Sequence, residues 1–394
     1  MATFLPFRGI RATDDKMHLV ASRSFLSYTE QELQDKLMNN PFTFLRIIQP
    51  TQQREIADSE KFEQVRKVFD EFIAQGIFVQ EETESFYLYR QRKDGRDYLG
   101  WMGGMAVEDY RNGVIKLHEH TIERRENLFA EYLATTGINA EPVLMFSHFS
   151  TSFKEWMSDL QSTSPLCNFS TTDKAQHTIW RISEGESIEK IKIEFAQLSA
   201  IYIADGHHRS ASSERLQRMH PEWPGTHQFL SFVVDEASLK IHPFHRAVVE
   251  MDVSVEGLLA QLEEKFDKVS CSGEDIPKGC FGVVISKEVI VFRFAASDAI
   301  DPDKLSNQVL TEILGIEDLR RDKRIRFIEG PKGWSYVQEM VNQGKYACAF
   351  LLSSVSTTEL CTVADHNGVM PPKSTYIEPK LRSGLIIYPI NHGI

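Results

Sequence analysis

Ile201, Tyr202, Ile203 and Ala204 form a short apolar run that passes directly into Asp205, Gly206, His207, His208 and Arg209, then into Ser210, Ala211, Ser212 and Ser213. A run this short reads as a buried strand. The glycine after it permits the positive φ or close backbone approach that a strand-to-helix turn requires. Ser210 to Met219 then reads as a helix, stopped by Pro221. A strand that delivers Asp205 and a polar triplet to a helix start gathers side chains and backbone N–H groups in one crevice, which favours bound phosphate. Arg209 suits a bidentate grip on phosphate, Gly206 the close approach, and Ser210, Ser212 or Ser213 a hydroxyl contact. Asp205 fits three tasks: orienting His207 or His208, holding Mg2+, or accepting a proton from a hydroxyl substrate. A plain turn with neutral imidazole caps is the alternative, but two histidines and an arginine are costly to bury without a use.

The 394-residue length suggests two domains. Glu60 to Gln75 carries Phe62, Val65, Phe69, Phe72 and Ile73 at helical spacing and is closed by Gly76. Phe86 to Arg90 reads as a strand, Arg90 to Gly95 as a hairpin turn, and Trp101 to Tyr110 as the returning strand. Val143 to Phe146, His177 to Ile182, Phe229 to Val234 and Tyr346 to Leu352 are further strands. Ser187 to Gln197, Val253 to Phe266 and Leu305 to Leu314 are helices, and Phe281 to Phe294 is a hairpin turning at Lys287 and Glu288. The expected fold is α+β or mixed α/β. The polar stretch Ser150 to Asp173 is the one faint linker, dividing residues 1–150, an N-terminal α+β region, from residues 151–394.

A net charge of -12 and the lack of a basic arm argue against nucleic acid as a partner. No stretch approaches the roughly eighteen apolar residues of a membrane span, and Met1 to Ile10 lacks a signal-peptide pattern. Five scattered cysteines suit a reducing compartment, so a cytoplasmic protein is expected. The sequence leaves a homodimer open, because apolar strands serve a core or an interface equally well.

Two more segments carry chemistry. Lys116, His118, Glu119 and His120 precede a charged helix start with Thr121 as its expected N-cap. Lys116, His118 and His120 share a face if the chain is extended there, and Lys116, His118 and Glu119 are the candidates for a site. The pattern is not the His-Glu-x-x-His of a zinc helix. In Met370, Pro371, Pro372, Lys373, Ser374, Thr375, the prolines fix a loop that presents Lys373, Ser374 and Thr375 to an anion, with Lys380 and Arg382 adding charge nearby in sequence. His242, His245 and Arg246 around Pro243 suit a satisfied cluster better than a pocket wall, and Gly100, Gly103 and Gly104 make only a weak dinucleotide signal.

Taken together, Pro6 to Gly9, the NPFTFLR stretch from Asn40, Lys116 to Thr121, Glu141 and Pro142, IADGHHR, Leu314 to Ile316 and MPPKSTYIEPK resemble the DUF1015 family almost end to end. That family's name records no established function. Its members carry a Pro-Tyr-Asp-Val type segment where this chain has Ser22 to Tyr28, which puts any aspartate supplied from there in doubt. The DGHHR segment is similar to the phosphate-gripping motif of ParB-like nucleotide-binding domains, and more closely to that of ParB-like free serine kinases. This resemblance implies a ParB-like domain packed with further α+β structure, in which Gly206 to Arg209 hold the phosphates of a nucleotide, ATP or ADP with Mg2+; Ser210, Lys116, Lys373, Ser374 and Thr375 join that binding set as candidates from the segments above. It also implies phosphotransfer to a small hydroxylated metabolite such as serine, giving O-phosphoserine, with Asp205, His207, His208, His118 and Glu119 as the catalytic set. Two other classes stay open: a metal-dependent phosphoester hydrolase with Asp205, His207, His208, His118 and Glu119 around the metal, and a nucleotide-binding regulatory protein without turnover.

Overall fold

The computed structural model describes residues 1–49, 56–271, 275–286 and 288–391. The chain forms two units, Met1–Leu239 with Pro379–Ile394, and Lys240–Glu378. Both mix helices with sheet, as expected of an α+β or mixed α/β chain.

The first unit is built on a nine-stranded sheet. In chain order its strands are β1 (Phe4–Leu5), β2 (Phe86–Lys93), β3 (Arg96–Ala106), β4 (Ile115–Lys116), β5 (Val143–Ser147), β6 (Cys167–Ser170), β7 (Gln176–Ile182), β8 (Ile201–Asp205) and β9 (Gln228–Asp235). They lie in the order β4-β8-β5-β9-β3-β2-β7-β6, with β1 against β3. The pairs β4–β8 and β5–β9 are parallel, and the other pairs are antiparallel. Asp94 and Gly95 both take positive φ, 50° and 75°, the two-residue turn that matches strand twist. The strands run further toward this turn than expected because Arg92 and Asp97 pair directly across it, so charge there marks a solvated sheet end. The returning strand stops at Ala106, where a short helix Val107–Arg111 begins.

The three glycines of β3 admit neighbours. A Cβ at Gly103 would stand 2.4 Å from the Phe4 ring, and one at Gly100 would stand 2.4 Å from the Val233 carbonyl oxygen. They serve packing, and the weak dinucleotide signal ends there. Phe4 stacks on Phe195 at 4.0 Å and on Phe86 at 5.0 Å, in a core that also holds Trp101, Phe149 and Phe153.

The division expected at residue 150 falls inside this unit, because β5 and β9 pair across it. The polar residues that suggested a linker are caps and partners. Ser150 accepts from Phe153 N–H to start the helix Thr151–Leu160, which buries Phe153 and Met157. Asp173 binds the buried Arg382 at 2.5 and 2.7 Å, so Arg382 is spent on tying the last segment to this unit.

Three helices of this unit pack in a row: α1 (Asp58–Ala74), α2 (Glu123–Thr136) and α3 (His207–Met219). Helix α1 packs on α2, and α2 on α3. The expected face of α1 is seen in buried Val65, Phe69 and Phe72. Among the described residues no helix is long and apolar enough to cross a membrane.

The second unit holds a seven-stranded antiparallel sheet. Its strands are β10 (Lys240–Val248), β11 (Asp267–Val269), β12 (Cys280–Ile285), β13 (Glu288–Arg293), β14 (Ile325–Glu329), β15 (Cys348–Leu352) and β16 (Thr375–Glu378). The order is β11-β13-β12-β15-β10-β14, with β16 on β10. Strands β12 and β13 form the expected hairpin, whose turn residue Lys287 lies outside the described residues. Ser254 caps the helix Val255–Lys265, which buries Leu258 and Leu262. The helix expected over Leu305 to Leu314 starts earlier, at Asp301, and widens into a π-helix over Ser306–Thr311 that keeps Leu305, Val309 and Leu310 all buried.

Candidate functional site

Strand pairing assembles the site. Because β4 runs parallel to β8, with Lys116 opposite Tyr202, the chain leaving Lys116 brings His118 and Glu119 to the exit of β8. Because β5 runs antiparallel, with Leu144 opposite Asp205, Glu141 just ahead of β5 reaches the same end. The register shifts between Ile203 and Asp205, an irregularity that re-aims Asp205 at the strand end.

Helix α3 begins at His207, three residues earlier than the sequence pattern suggested, with Gly206 as its N-cap at φ +114°. It has neither a side-chain cap nor an acidic residue in its first turn. The positive end of the helix dipole is therefore not neutralised from within the turn. The Arg209 side chain folds back over Gly206, where a Cβ would lie 2.8 Å from both Nε and an Nη. Replacing Gly206 with alanine is expected to lower stability by about 1–3 kcal/mol through its backbone conformation alone. Urea unfolding of Gly206→Ala checks this, and an unchanged midpoint would mean that the turn does not need glycine.

The Arg209 guanidinium lies 3.0 Å from Glu141 and 3.6 Å from the Asp205 carboxylate. Burial pulls its pKa down, but Glu141 and then Asp205 outweigh this and hold it above the ordinary arginine value. Lys380 stands 3.9 Å from Asp205, within the same unit. Cations and carboxylates thus alternate at the mouth of the helix, with Asp205 about half exposed.

Behind them lie two buried imidazoles. The rings of His118 and His207 meet edge to face at 4.4 Å, and His118 N–H donates to His207 Nε2 at 3.4 Å. With Nε2 accepting, the His207 proton sits on Nδ1, which faces Glu119 at 3.9 Å. Burial lowers the His118 pKa to about 4, against a smaller opposing pull from Asp205. Burial, then His118, His208 and Arg209, press His207 well below the usual histidine range. Both are neutral at pH 7. His118 Nδ1 is buried without a protein partner, a cost of about 1–3 kcal/mol that a bound polar group would relieve.

Other candidates fare differently. Ser210 is fully buried, and its hydroxyl donates to the His207 carbonyl at 3.0 Å, so it is committed within the helix. Ser212 and Ser213 bond back to His208 and Arg209 in the same way. His208 is half-buried on the first turn, and Lys116 is half-buried in β4. His120 is exposed while His118 is buried, so the extended face expected from Lys116 to His120 does not form. Thr121 is not the N-cap of α2: Ile122 occupies that position, and the Thr121 hydroxyl donates to Glu126 instead. The loop holding Lys373, Ser374 and Thr375 belongs to the second unit. There Ser374 is buried with its hydroxyl on the Pro371 carbonyl, and Thr375 opens β16.

Glu141 was not among the expected site residues, and Lys380 was expected only as added charge beside the Lys373–Thr375 loop. The available signal for Glu141 was an acid and a proline directly ahead of a buried strand; its partner lies 68 residues on, reachable only through the β5–β8 register. Among the described residues, no three of His, Cys, Asp and Glu are grouped to hold a metal ion. The hydrolase arrangement of Asp205, His207, His208, His118 and Glu119 around one metal is therefore not assembled, since His118 and His207 face each other. A hollow of about 180 Å³ in the same unit is lined by Ile10, Arg66, Phe69, Ile73, Ile138 and Pro389 among others, and shares no residue with this cluster.

Fold and site together define a mixed α/β protein with an arginine folded over a glycine helix cap. The chain belongs to the DUF1015 family, described as a protein of unknown function, whose model matches residues 4–313. No protein of curated function matches the sequence significantly. Among solved structures, the chain is similar to a free serine kinase variant in complex with AMP, with TM-score 0.38 and 16% identity over 72% of this chain and 90% of that one. It is also similar to SbnI with C-terminal truncation from Staphylococcus aureus, with TM-score 0.39 and 11% identity over 72% and 85%. A conserved hypothetical protein from Pyrococcus furiosus gives TM-score 0.35 and 15% identity over 71% and 90%. Scores of this size assign neither fold nor activity.

Proposed function

We propose that the cluster at Asp205–Arg209 binds nucleotide phosphate, and that the protein is a nucleotide-dependent phosphotransferase acting on a small hydroxylated metabolite, with serine as the first candidate. The observation that carries this reading is Arg209, lying over the positive-φ Gly206 at an uncapped helix start. A guanidinium beside a helix start whose dipole is not neutralised within the turn is the combination that phosphate favours, and a bound phosphate would take Arg209 over from Glu141 and Asp205. The DGHHR resemblance to ParB-like free serine kinases points the same way and supplies the ParB-like domain reading.

Roles follow from accessibility and charge. Gly206 and Arg209 hold phosphate, with Lys380 adding charge from the side. Asp205 is the exposed carboxylate best placed to take the hydroxyl proton, and Glu119 stands by as a second acid. His118 and His207 are neutral and act by position: His207 fixes the His118 backbone, and His118 offers Nδ1 to a bound polar group. Mg2+, which typically binds through one or two carboxylates plus substrate phosphates, fits here only as a companion of the nucleotide, meeting Asp205 or Glu119.

Incubating the protein with ATP or ADP, L-serine and Mg2+ and following phosphorus by NMR is expected to show O-phosphoserine. Asp205→Asn is expected to slow turnover by about 10²–10⁴-fold, the usual worth of a general base. Nucleotide binding without turnover on any hydroxyl substrate would favour a regulatory protein instead.

A further inference from the structure

The second unit contains a buried cation with no carboxylate partner among the described residues. Arg246, on β10, is fully buried, in register with Phe327 on one side and Phe350 on the other. Its Nη1 donates to the Phe244 carbonyl at 2.9 Å, and its Nη2 reaches the Pro372 carbonyl at 3.4 Å. The guanidinium lies 4.7 Å from the Phe327 ring centroid, and Nε has no protein partner. Burial alone pulls the pKa down to about 9, with no carboxylate acting against it, so the group remains charged at pH 7. Glu378 on neighbouring β16 is engaged by His242 at 3.0 Å. A buried guanidinium held by carbonyls and a ring face but by no anion is poorly compensated, and an anion brought beside it would stabilise it.

The covering loop supports this. Thr375 and Tyr376 pair with Pro243 and His242, so residues 371–374 fold back beside Phe244 and Arg246. Lys373 is held at φ +57°, a left-handed conformation that costs a non-glycine residue about 1–2 kcal/mol. That conformation sets its exposed Nζ 5.4 Å from the Phe244 ring centroid, on the residue whose carbonyl holds Arg246. Ser374 locks the loop from within through Pro371.

We propose that Arg246 and the Pro371–Ser374 loop form an oxyanion site in the second unit, taking the phosphate or carboxylate group of a small molecule. The anion replaces the Pro372 carbonyl, the longer of the two hydrogen bonds from Arg246, and Lys373 adds a second charge at the loop surface. The site stands independently of the phosphate reading for Arg209.

Thermal melting of the full chain tests it, with inorganic phosphate or acetate titrated at constant ionic strength against chloride. At least one anion is expected to raise the wild-type Tm: phosphate alone identifies a phosphoryl ligand, and acetate as well a carboxylate. The shift should persist in Arg209→Ala and, in that Arg209→Ala background, vanish on adding Arg246→Met, a substitution of similar shape that removes the unbalanced charge. Lys373→Ala, on the surface, should weaken the apparent anion affinity roughly two- to fivefold without changing the melt in chloride. The proposal is overturned by no shift in the wild type, by a shift that disappears in Arg209→Ala, or by an undiminished response when Arg246→Met is added to Arg209→Ala. Should that double variant not fold, an undiminished response on adding Lys373→Ala to Arg209→Ala overturns it equally.

Discussion

Lowering the pH from 7.5 to 5 is expected to destabilise the first unit steeply, with the loss beginning near pH 6.5, well above the carboxylate range. His118, His177 and His207 are all buried, and burial holds His118 at about 4, His177 at about 3 and His207 well below the ordinary histidine value of 6.5. Each is neutral in the folded chain and would protonate freely in the unfolded one. Their contribution is therefore complete above pH 6.5 and is lost as pH falls from there through the folded values. Each histidine contributes a slope of about 1.4 kcal/mol per pH unit, so three together give about 4 kcal/mol per unit once the pH is below about 6. Asp173 acts in a lower window. Burial pushes its pKa up, but Thr171 and Arg382 outweigh burial and hold it at about 2, so that contribution disappears only as pH falls from the ordinary aspartate value of 3.8 through about 2. Urea unfolding read by tryptophan fluorescence, with Trp101, Trp156, Trp180 and Trp223 reporting on this unit, measures the profile. Replacing His177 with glutamine should remove about a third of the slope. A stability that stays flat between pH 6.5 and 5 would contradict neutral buried imidazoles.

The same chemistry couples stability to the site. Protonating His207 removes the Nε2 acceptor that holds the His118 N–H, so site order and stability are expected to fail over one pH range.

How much of this was legible in the sequence depends on the range of the interactions. The hairpin at Asp94–Gly95 and helix α1 were readable because a two-residue turn and a 3.6-residue period are local patterns. The strand-to-helix turn at Asp205–Arg209 was readable for the same reason. What the pattern hid was register. Glu141 meets Arg209 only through the antiparallel β5–β8 pairing, and His118 meets His207 only through the parallel β4–β8 pairing. For Ser210, spacing does not reveal that the hydroxyl bonds back to His207. Arg246 looked like a member of a satisfied cluster, since nothing local shows that Glu378 goes to His242. The boundary at residue 150 failed because capping serines and an ion-paired aspartate have the composition of a linker.

Arg209 carries the largest expected functional effect. A guanidinium gripping phosphate with charge-assisted hydrogen bonds contributes about 2–4 kcal/mol, so its loss weakens binding roughly 30- to 1000-fold. Here the loss should lie at the upper end, because Arg209→Ala leaves Glu141 and Asp205 with unbalanced negative charge facing the phosphate. Arg209→Lys keeps the charge without the fork and should fall between. The decisive measurement is isothermal titration of wild type and Arg209→Ala with ATP, ADP and AMP, with and without Mg2+. Nucleotide binding by the wild type that Arg209→Ala loses is the expected result; equal binding by both, or none by either, would contradict a phosphate site at Arg209.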